Sequence, residues 1–367
     1  MDKREHWRIK WAISHFARGK GLPTDEEISV AKHLLDQTSA QPSGTVLGTN
    51  QIEKKYDLMI IVPAYNVEKY IEDCMDSIVS QKTSYSFVTV IVDDGSTDQT
   101  FVKLKKYSQM RHIKIFRQNN LGVSSARNFA LRHMLGKYIM FVDGDDILPA
   151  GAVDTLLQIA LNEDADIVEG GHYLFGHGRQ TNVIQHAWRE EECPNRDMLF
   201  GYPWGKVIRA ELFLKFQFPQ GYWFEDTIMN TLIFPQAHSV RLTSDIVYGY
   251  RQNEDGISKT AENSVKAIDT FWVTQLCWIQ YEKEKFEKDN NAYKRFLNQI
   301  QLNYIRTSRA TRKVKKSIFV LTRALEYRLF SDRVFSLEAK EKYLSHCIRK
   351  GQFDVYCTIC NQWWHID

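Results

Sequence analysis

The chain has 367 residues, 43% hydrophobic and 25% charged, a balance that excludes a disordered or collagen-like protein. Its 48 basic and 45 acidic residues leave a formal net charge of +3, so bulk charge does not indicate nucleic-acid binding. Six cysteines are too few for a disulfide scaffold, no apolar run approaches the roughly 18 residues of a membrane span, and the charged N-terminus lacks a secretory signal. These features predict a cytoplasmic protein.

Residues 1–56 are interpreted as an N-terminal helical extension and linker. A helix is predicted from Asp25 to Gln37, with Thr24 as its N-cap and acidic residues in its first turn. The stretch from Ser39 to Asn50 is rich in Ser, Gly, Thr and Pro, which is typical of a linker. The main folded unit is therefore expected to begin near residue 57.

An α/β domain is predicted for residues 57–260. Short apolar runs alternate there with helical segments of about 10–15 residues, which is the pattern of right-handed βαβ units. The predicted strands are Leu58–Val62, Phe87–Val92, His112–Phe116 and Tyr138–Val142. The fold class is therefore α/β: a Rossmann-like, mostly parallel sheet flanked by helices, followed by a helical C-terminal region over 261–367.

Polar turns follow three of these strands. Pro63–Asn66 follows the first strand, Asp93–Asp98 the second and Asp143–Asp146 the fourth. Ligands of parallel sheets bind beyond the carboxyl ends of the strands, so the turns are expected to share one edge. Carboxylates gathered there repel one another unless a cation lies among them, and oxygen ligands select Mg²⁺ or Mn²⁺ over Zn²⁺. The alternative is that these acids only cap the following helices.

Four motifs occur in order along this domain: PAYN, VDDGSTD, NLGVSSARN and FVDGDD. Together they resemble the successive motifs of family 2 glycosyltransferases with the GT-A fold, over about residues 57–257. The resemblance implies a metal-dependent, inverting enzyme that uses a UDP-sugar donor. It also implies roles for individual residues at the matching positions.

The first two motifs are expected to bind the uracil of the donor. The resemblance implies that Pro63, Ala64 and Tyr65 pack on the uracil ring. Asp94, the second acid of the DDGS sequence, is implied to hydrogen-bond the uracil edge.

The third and fourth motifs are expected to bind the rest of the donor. Asn120 and Arg127 are implied to line the nucleotide and sugar side of the site. Asp143 is implied to face the ribose and the donor sugar, and Asp145 to bind Mn²⁺ or Mg²⁺. Gly144 between them suits a turn whose backbone approaches a ligand closely.

A catalytic carboxylate is expected in the later segment Phe224–Thr227, where the family has its Glu-Asp motif. Asp226 corresponds to the general base, which would take the proton of an acceptor hydroxyl as its oxygen attacks the anomeric carbon. One base without a covalent nucleophile implies a single displacement with inversion. The alternative is that Glu225 and Asp226 only complement a helix dipole.

Three further side chains are candidates for substrate contacts. Trp204 and Trp223 could stack on acceptor or donor sugar rings, although core packing explains aromatic residues equally well. Arg251 could meet the donor diphosphate, with a structural salt bridge as the alternative. Residues 250–258 resemble a loop of related enzymes but carry Gly256 where serine is common.

The segment 294–330 is strongly basic and also has apolar positions at helical spacing. Such a helix can lie on an anionic membrane surface, which would suit an enzyme with a lipid-linked acceptor. This adds peripheral attachment to the inner face of the membrane as an option for the cytoplasmic protein. A solvated helix face and a surface for another subunit, as in a homo-oligomer, are the alternatives.

The predicted function is therefore an inverting glycosyltransferase that moves a sugar from a UDP-sugar to a glycan acceptor: capsular, lipopolysaccharide, teichoic or protein-linked. One rival is a nucleotidyltransferase that makes the nucleotide sugar, but such an enzyme needs a glycine-rich loop where this chain has PAYN. A second rival is a protein that binds nucleotide sugars or glycans without turnover.

Overall fold

The computed structural model describes residues 21–176, 179–185, 196–253 and 264–363. The described residues form two compact units. The sheet unit comprises Ser43–Gly221 and Glu225–Gly256; the helical unit comprises Met1–Pro42, Tyr222–Phe224 and Ile257–Asp367. The division into segments 1–56, 57–260 and 261–367 stays a prediction about domains.

The sheet unit is built on one sheet. Its strands are β1 Gln51–Ala64, β2 Phe87–Asp93, β3 Ile113–Arg117, β4 His133–Phe141, β5 Ile167–Gly176, β6 Arg179–Ile184, β7 Lys206–Arg209 and β8 Val240–Arg251. The strand order is β3-β2-β1-β4-β7-β5-β6, and β8 pairs with β5. Strands β3, β2, β1 and β4 are mutually parallel, whereas β7 runs antiparallel to β4 and β5.

Strand β1 lies at the centre of the parallel half because its C-terminal part is apolar on both faces. Every residue from Leu58 to Ala64 is buried. A strand between two parallel neighbours, with helices on both sides of the sheet, requires such a run. The predicted α/β class with a parallel half is confirmed, and the antiparallel strands β6 and β7 make the complete sheet a mixed one.

Helices cover this sheet and form the second unit. In the sheet unit they are α2 Ile71–Val79, α3 Thr100–Leu104, α4 Val123–Leu131 and α5 Ala152–Asn162. In the helical unit they are α1 Asp25–Thr38, α6 Asp269–Lys283, α7 Asn290–Arg306, α8 Arg312–Phe330, α9 Ala339–Lys350 and α10 Phe353–Trp363. Helix α1 begins with a capping box between Thr24 and Glu27, which confirms the predicted N-cap.

Two strands begin earlier than the sequence predicted. Strand β1 starts at Gln51 rather than Leu58, inside the predicted extension 1–56, and β4 starts at His133 rather than Tyr138. Gln51 pairs with His133 and Ile52 with Met134. The first half of β1 is largely exposed, so it carries no apolar run, and only this pairing makes it a strand.

The second half of the predicted linker is likewise packed within the sheet unit. The Asn50 side chain donates hydrogen bonds to the carbonyls of Phe213 and Phe216 at 2.6 and 2.9 Å. Gly44 lies so close to Gln220 that a Cβ at position 44 would be 2.1 Å from the Gln220 carbonyl oxygen. Small residues occur here because of close backbone packing, not chain flexibility.

The basic segment 294–330 forms α7, α8 and their connection. Lys313 and Lys316 are exposed, whereas Arg323 is buried and donates to the Gly21 carbonyl at 2.6 Å. Part of the basic charge is therefore used inside the helical unit, and membrane contact stays a prediction. Among the described residues, no helix is both long enough and apolar enough to cross a bilayer.

Candidate active site

The turns after β1, β2 and β4 meet at one edge of the sheet because their strands are neighbours. The Asp94 N–H donates to the Ala64 carbonyl at 2.8 Å. Gly144 approaches the first turn so closely that a Cβ there would lie 3.1 Å from the Pro63 carbonyl oxygen. Three motifs that are far apart in the chain thus form one surface, as expected for the strand ends of a parallel sheet.

The turn after β1 presents an aromatic ring on a fixed backbone. Pro63 and Ala64 are buried, so only their backbone can meet a ligand, whereas Tyr65 is 43% exposed. Asn66 adopts the left-handed conformation with φ of 50°. Its side chain accepts a hydrogen bond from the Thr97 N–H at 2.8 Å, which ties this turn to the one after β2. Asparagine is one of the few residues that tolerate this geometry.

Asp94 organises the loop that precedes α4. Its Oδ1 accepts hydrogen bonds from the Gln118 side chain at 2.7 Å and the Leu121 N–H at 3.0 Å, and its Oδ2 accepts one from the Gly122 N–H at 2.7 Å. The residue is 2% exposed. Asp94 therefore has a structural role of its own, while its predicted contact with uracil stays a prediction.

Asn120 lies on the same loop, beside this carboxylate. Gly95 has φ of 76°, and a Cβ on it would lie 2.8 Å from the Asn120 backbone nitrogen. Only glycine fits this close approach and this conformation. The Asn120 side chain is exposed, so the structure leaves it available to a ligand at the edge defined by Asp94.

The last acid of the turn after β4 serves the fold. Asp146 is buried and accepts hydrogen bonds from the Tyr248 hydroxyl and the Arg251 N–H, both at 2.7 Å. The Tyr248 hydroxyl also accepts the Asp143 N–H at 3.1 Å. Burial, together with the charges of Asp145 and Asp143, raises the pKa of Asp146 well above its usual value. This residue anchors β8 to the turn.

The other two acids of this turn are left with fewer partners. From the described residues, the Asp145 carboxylate accepts one side-chain hydrogen bond, which comes from Asn253 at 3.3 Å. Burial raises the pKa of Asp145, and the neighbouring Asp143 carboxylate raises it further. Asp143 keeps 27% of its side chain exposed. Among the described residues, the Asp145 carboxylate is therefore the one in this turn that has neither a cationic partner nor a short hydrogen bond.

Arg127 connects this turn to the later Glu-Asp motif. Its Nη2 lies 2.8 Å from Asp143 Oδ1, and its Nη1 lies 2.6 Å from Glu225 Oε1. Its side chain is only 5% exposed. Burial disfavours the charge of Arg127, but the two carboxylates outweigh that effect and raise its pKa. One guanidinium therefore holds together two acidic segments that are about 80 residues apart in sequence.

Asp226 is the acid of the Glu-Asp motif that has no side-chain partner within the described part of the chain. Among the residues that the structure describes, none donates a hydrogen bond to its carboxylate. Glu225, in contrast, is occupied by Arg127. Phe224, directly before the motif, has φ of 62°, which for a bulky residue costs about 1–3 kcal/mol. Strain of this kind occurs where the backbone must place a functional side chain.

Arg251 follows the structural alternative that the sequence left open. Its Nη2 lies 3.0 Å from Asp73 Oδ2, and its Nε donates to the Asp145 carbonyl at 2.7 Å. The guanidinium lies over the Tyr70 and Phe175 rings, 4.7 and 4.4 Å from their centres. Its side chain is 16% exposed. Arg251 thus braces the Asp145 turn, and its contact with diphosphate stays a prediction.

The two tryptophans belong to different units, Trp204 to the sheet unit and Trp223 to the helical unit. Trp204 is 7% exposed and stacks on Tyr202 and Tyr248, so its burial argues against direct contact with an acceptor. The ring at the exposed end of this stack is Tyr202. Trp223 is half-buried in the helical unit, where its N–H donates to Asp269 at 3.1 Å.

The acidic turn fits a divalent cation that takes only part of its ligands from the protein. Among the described residues, no group of three or more His, Cys, Asp or Glu side chains is placed to hold a metal. Asp145 still offers a carboxylate with a single weak protein partner. Mg²⁺ and similar ions are often bound by one or two carboxylates together with substrate phosphates. The residues therefore fit a metal that completes its coordination with a diphosphate.

Sequence reasoning missed the residues that hold these motifs in place. Asn128, next to Arg127, exchanges two hydrogen bonds with the Phe218 backbone, at 2.7 and 2.8 Å. Tyr248 binds Asp146 from a strand about 100 residues away. Two tyrosines, Tyr248 and Tyr250, stand just before Arg251 in the sequence. No pattern in one sequence shows which tyrosine contacts which acid.

The sheet with its flanking helices defines the class of the fold as GT-A, as the motifs predicted. Residues 59–215 match the model of glycosyl transferase family 2. The resemblance and the fold expected from the four motifs are thereby confirmed.

Relatives and solved structures agree with this assignment. Glycosyltransferase GlyA of Streptococcus pneumoniae serotype 4 is 31% identical over 55% of this chain and 31% of its own length. The uncharacterized glycosyltransferase EpsJ of Bacillus subtilis strain 168 is 31% identical over 54% of this chain and 62% of its own length. The chain therefore spans less than two thirds of these relatives.

A crystal structure of TarS residues 1–349 from S. aureus, in complex with UDP-GlcNAc, has the same fold. The TM-score is 0.64 at 21% identity, with 84% of this chain and 91% of that chain covered. The likeness extends beyond the family model into the helical region, so the fold is shared over most of the described chain.

Proposed function

We propose that the protein is an inverting glycosyltransferase that transfers a sugar from a UDP-sugar to a hydroxyl of a glycan acceptor. The observation that carries this proposal is the Arg127 bridge between Asp143 and Glu225. This bridge supports the proposal because it joins the acidic turn that would face the donor to Glu225, the sequence neighbour of Asp226, whose carboxylate accepts no hydrogen bond from the described residues. A donor site and a base in one place are what a transferase needs and a simple binding protein does not.

The chemistry assigns one step to Asp226. Its carboxylate accepts the proton of the acceptor hydroxyl while that oxygen forms a bond to the anomeric carbon of the donor sugar. The bond between this carbon and the diphosphate oxygen breaks, and UDP leaves on the opposite face. A single displacement inverts the configuration, so an α-linked UDP-sugar yields a β-linked product. Glu225, paired with Arg127, positions its neighbour rather than taking the proton.

The donor site is proposed on the three turns. Pro63, Ala64 and the exposed Tyr65 ring would receive the uracil, with Asp94 at its edge. A bound Mn²⁺ or Mg²⁺ would neutralise the charge that grows on the leaving diphosphate. Asp145 would hold that ion, because its carboxylate is the least satisfied in the turn. The structure of TarS with UDP-GlcNAc supports a UDP-sugar as donor.

The acceptor is proposed to be a growing glycan, in capsule, lipopolysaccharide, teichoic acid or protein-linked form. The names of the relatives support this range: one TarS sequence, 26% identical over 70% of this chain, is called a poly(ribitol-phosphate) β-N-acetylglucosaminyltransferase. The proposed location is the cytoplasm. Lys313 and Lys316, both exposed, could attach the chain to the inner face of the membrane.

The test is release of UDP from a panel of UDP-sugars in the presence of Mn²⁺, with and without Asp226→Asn. The wild-type protein is expected to hydrolyse at least one donor slowly, using water as acceptor. Asp226→Asn is expected to lower this rate by about 10²–10⁴-fold, the usual contribution of a general base. UDP with Mn²⁺ should still raise the melting temperature of the variant, since the donor site is intact.

Asp332→Asn is the matched control, because Asp332 is an acid in the helical unit with 78% of its side chain exposed. It should leave hydrolysis at the wild-type rate. If millimolar UDP with Mn²⁺ leaves the melting temperature of the wild-type protein unchanged, the proposed donor site is wrong. Equal turnover by wild type and Asp226→Asn would refute the assigned base.

A further inference from the structure

A stack of aromatic rings runs through the sheet unit and ends at its surface. Tyr202 and Trp204 lie 4.4 Å apart, centre to centre, with 7° between their planes. Trp204 and Tyr248 lie 4.5 Å apart with 12° between their planes. Tyr248 is fully buried, Trp204 is 7% exposed and Tyr202 is 38% exposed. Phe200 also stacks on Tyr202, at 6.1 Å and 27°, and Tyr250 on Trp204, at 5.4 Å and 23°, but both are less exposed, so Tyr202 is the most exposed ring of the stack.

The inner end of the stack is fixed to the acidic turn after β4. The Tyr248 hydroxyl donates to Asp146 at 2.7 Å and accepts the Asp143 N–H at 3.1 Å. Stacked rings backed by a buried hydrogen-bonded tyrosine have little freedom to tilt. The plane of Tyr202 is thus set by the same turn that would face the donor.

The loop that carries Tyr202 is held by a buried ion pair. The side chains of Lys206 and Glu169, which are 0% and 1% exposed, form an ion pair with each other. Lys206 Nζ donates to the Phe200 carbonyl at 2.7 Å, and Glu169 Oε1 accepts the Phe200 N–H at 2.9 Å. Both backbone groups of Phe200 are therefore fixed two residues before Tyr202. A ring held this rigidly loses little entropy when a ligand stacks on it.

Tyr202 lies beside the segment of Asp226. Gly201 packs against Asn230, one helical turn after Asp226, so closely that a Cβ on Gly201 would be 2.6 Å from Asn230 Nδ2. Burial raises the pKa of Tyr202, and the Asp226 carboxylate is the next cause of that increase. The segment that carries the exposed ring and the segment that carries the proposed base are therefore neighbours in the fold.

We infer that Tyr202 is the platform on which a pyranose ring of the acceptor stacks while its hydroxyl reaches Asp226. The apolar C–H face of a pyranose packs on an aromatic face, which is the surface that Tyr202 offers. This role replaces that expected for Trp204, whose burial leaves it to support Tyr202 from behind. The inference rests on the proposed function, because it uses Asp226 as the base.

The test is saturation-transfer NMR with methyl β-D-glucopyranoside and methyl N-acetyl-β-D-glucosaminide as probes, in the presence of UDP and Mn²⁺. Wild type and Tyr202→Phe should transfer saturation to the ring protons of one pyranose face. Tyr202→Ala should weaken binding of the probe about three- to tenfold, the range expected for one lost ring contact. Tyr327→Ala is the control, since Tyr327 is 49% exposed on α8.

Each outcome decides between the two proposals. A probe signal that survives Tyr202→Ala, falls equally in Tyr327→Ala or is lost in Tyr202→Phe would overturn the platform, provided that thermal melting shows each variant folded. A wild-type protein that binds UDP but neither pyranoside overturns the platform alone. A wild-type protein that binds no UDP overturns the proposed function itself.

Discussion

The two acidic turns after the strands next to β1 have similar sequences, but their carboxylates differ in how many hydrogen bonds they accept from the described residues. The Asp94 carboxylate after β2 accepts three hydrogen bonds from its own domain. The Asp145 carboxylate after β4 accepts one from the part of the chain that the structure describes, at 3.3 Å. Both residues follow parallel strands and could bind a ligand equally well by that criterion.

The difference shows that the supply of donors, not the motif, separates a structural acid from a functional one. The loop of residues 118–122 folds back over Asp94 and directs N–H groups at it. No loop does this for Asp145 among the described residues, and Arg251 reaches the Asp145 carbonyl rather than its carboxylate. An acid left in this state remains available to a cation or to a polar substrate.

The largest expected effect comes from removing the positive charge of Arg127, which pairs with Asp143 in the turn after β4. Arg127→Met leaves Asp143 and Glu225 close together and without their shared partner. We expect a loss of about 3–5 kcal/mol in the free energy of unfolding, because an unpaired buried charge is costly. Urea denaturation at neutral pH measures it, and sugar transfer should fall as well.

Arg241→Met is the matched control for this substitution, since Arg241 pairs with Glu163 at the surface of the same unit. An exposed pair of this kind is worth about 0–1 kcal/mol. If both variants lose the same stability, Arg127 is an ordinary surface cation and the bridge has no special weight.

Asparagine at the two turns should separate function from stability. Asp145→Asn is expected to lower UDP release by about 10²–10³-fold, the effect of losing one group that stabilises developing charge. Its melting temperature should not fall, because the substitution removes a carboxylate that Asp143 repels. Activity assays with Mn²⁺ and a thermal melt of the same sample provide both readings.

Asp94→Asn is the counterpart, and the order of effects should reverse. An amide in place of this carboxylate sets an NH₂ group against N–H donors of the 118–122 loop. We expect a loss of about 1–3 kcal/mol in stability, the usual result of a spoiled buried hydrogen bond. The comparison fails if Asp94→Asn melts like wild type while Asp145→Asn unfolds.

The smallest expected effect concerns Asp269, a buried carboxylate of the helical unit. Asp269 accepts the Trp223 N–H, and its burial raises the pKa of its carboxyl to about 6. The folded state then holds a proton that the unfolded state has released between about pH 4 and 6, so stability should fall as pH rises through that interval. Asp269→Asn should flatten this part of the stability curve by about 1–2 kcal/mol.

Equilibrium unfolding of wild type and Asp269→Asn at pH 4, 5, 6 and 7 measures this dependence. Asp36→Asn, a substitution of a partly exposed acid on α1, is the control and should follow the wild-type curve. Parallel curves for Asp269→Asn and wild type would show that Asp269 keeps its ordinary acidity.

The residues that the sequence identified correctly are those whose roles depend on local pattern. The apolar run Leu58–Val62 had to become a buried strand, and the Asp-Gly-Asp turn had to follow another. Thr24 capped its helix because the capping box is read from four adjacent residues. The four motifs together indicated the family, since their order and spacing follow from strand order.

The chain's own sequence thus determined the parallel half of the sheet, the acidic turns at its edge and the family, because apolar periodicity and turn chemistry act over a few residues. Tertiary structure alone decided that Arg127 joins Asp143 to Glu225, that Trp204 is buried behind Tyr202, and that residues 51–56 form a strand. These outcomes depend on contacts between segments far apart in the chain, where a side chain's partner is set by packing and burial rather than by its neighbours.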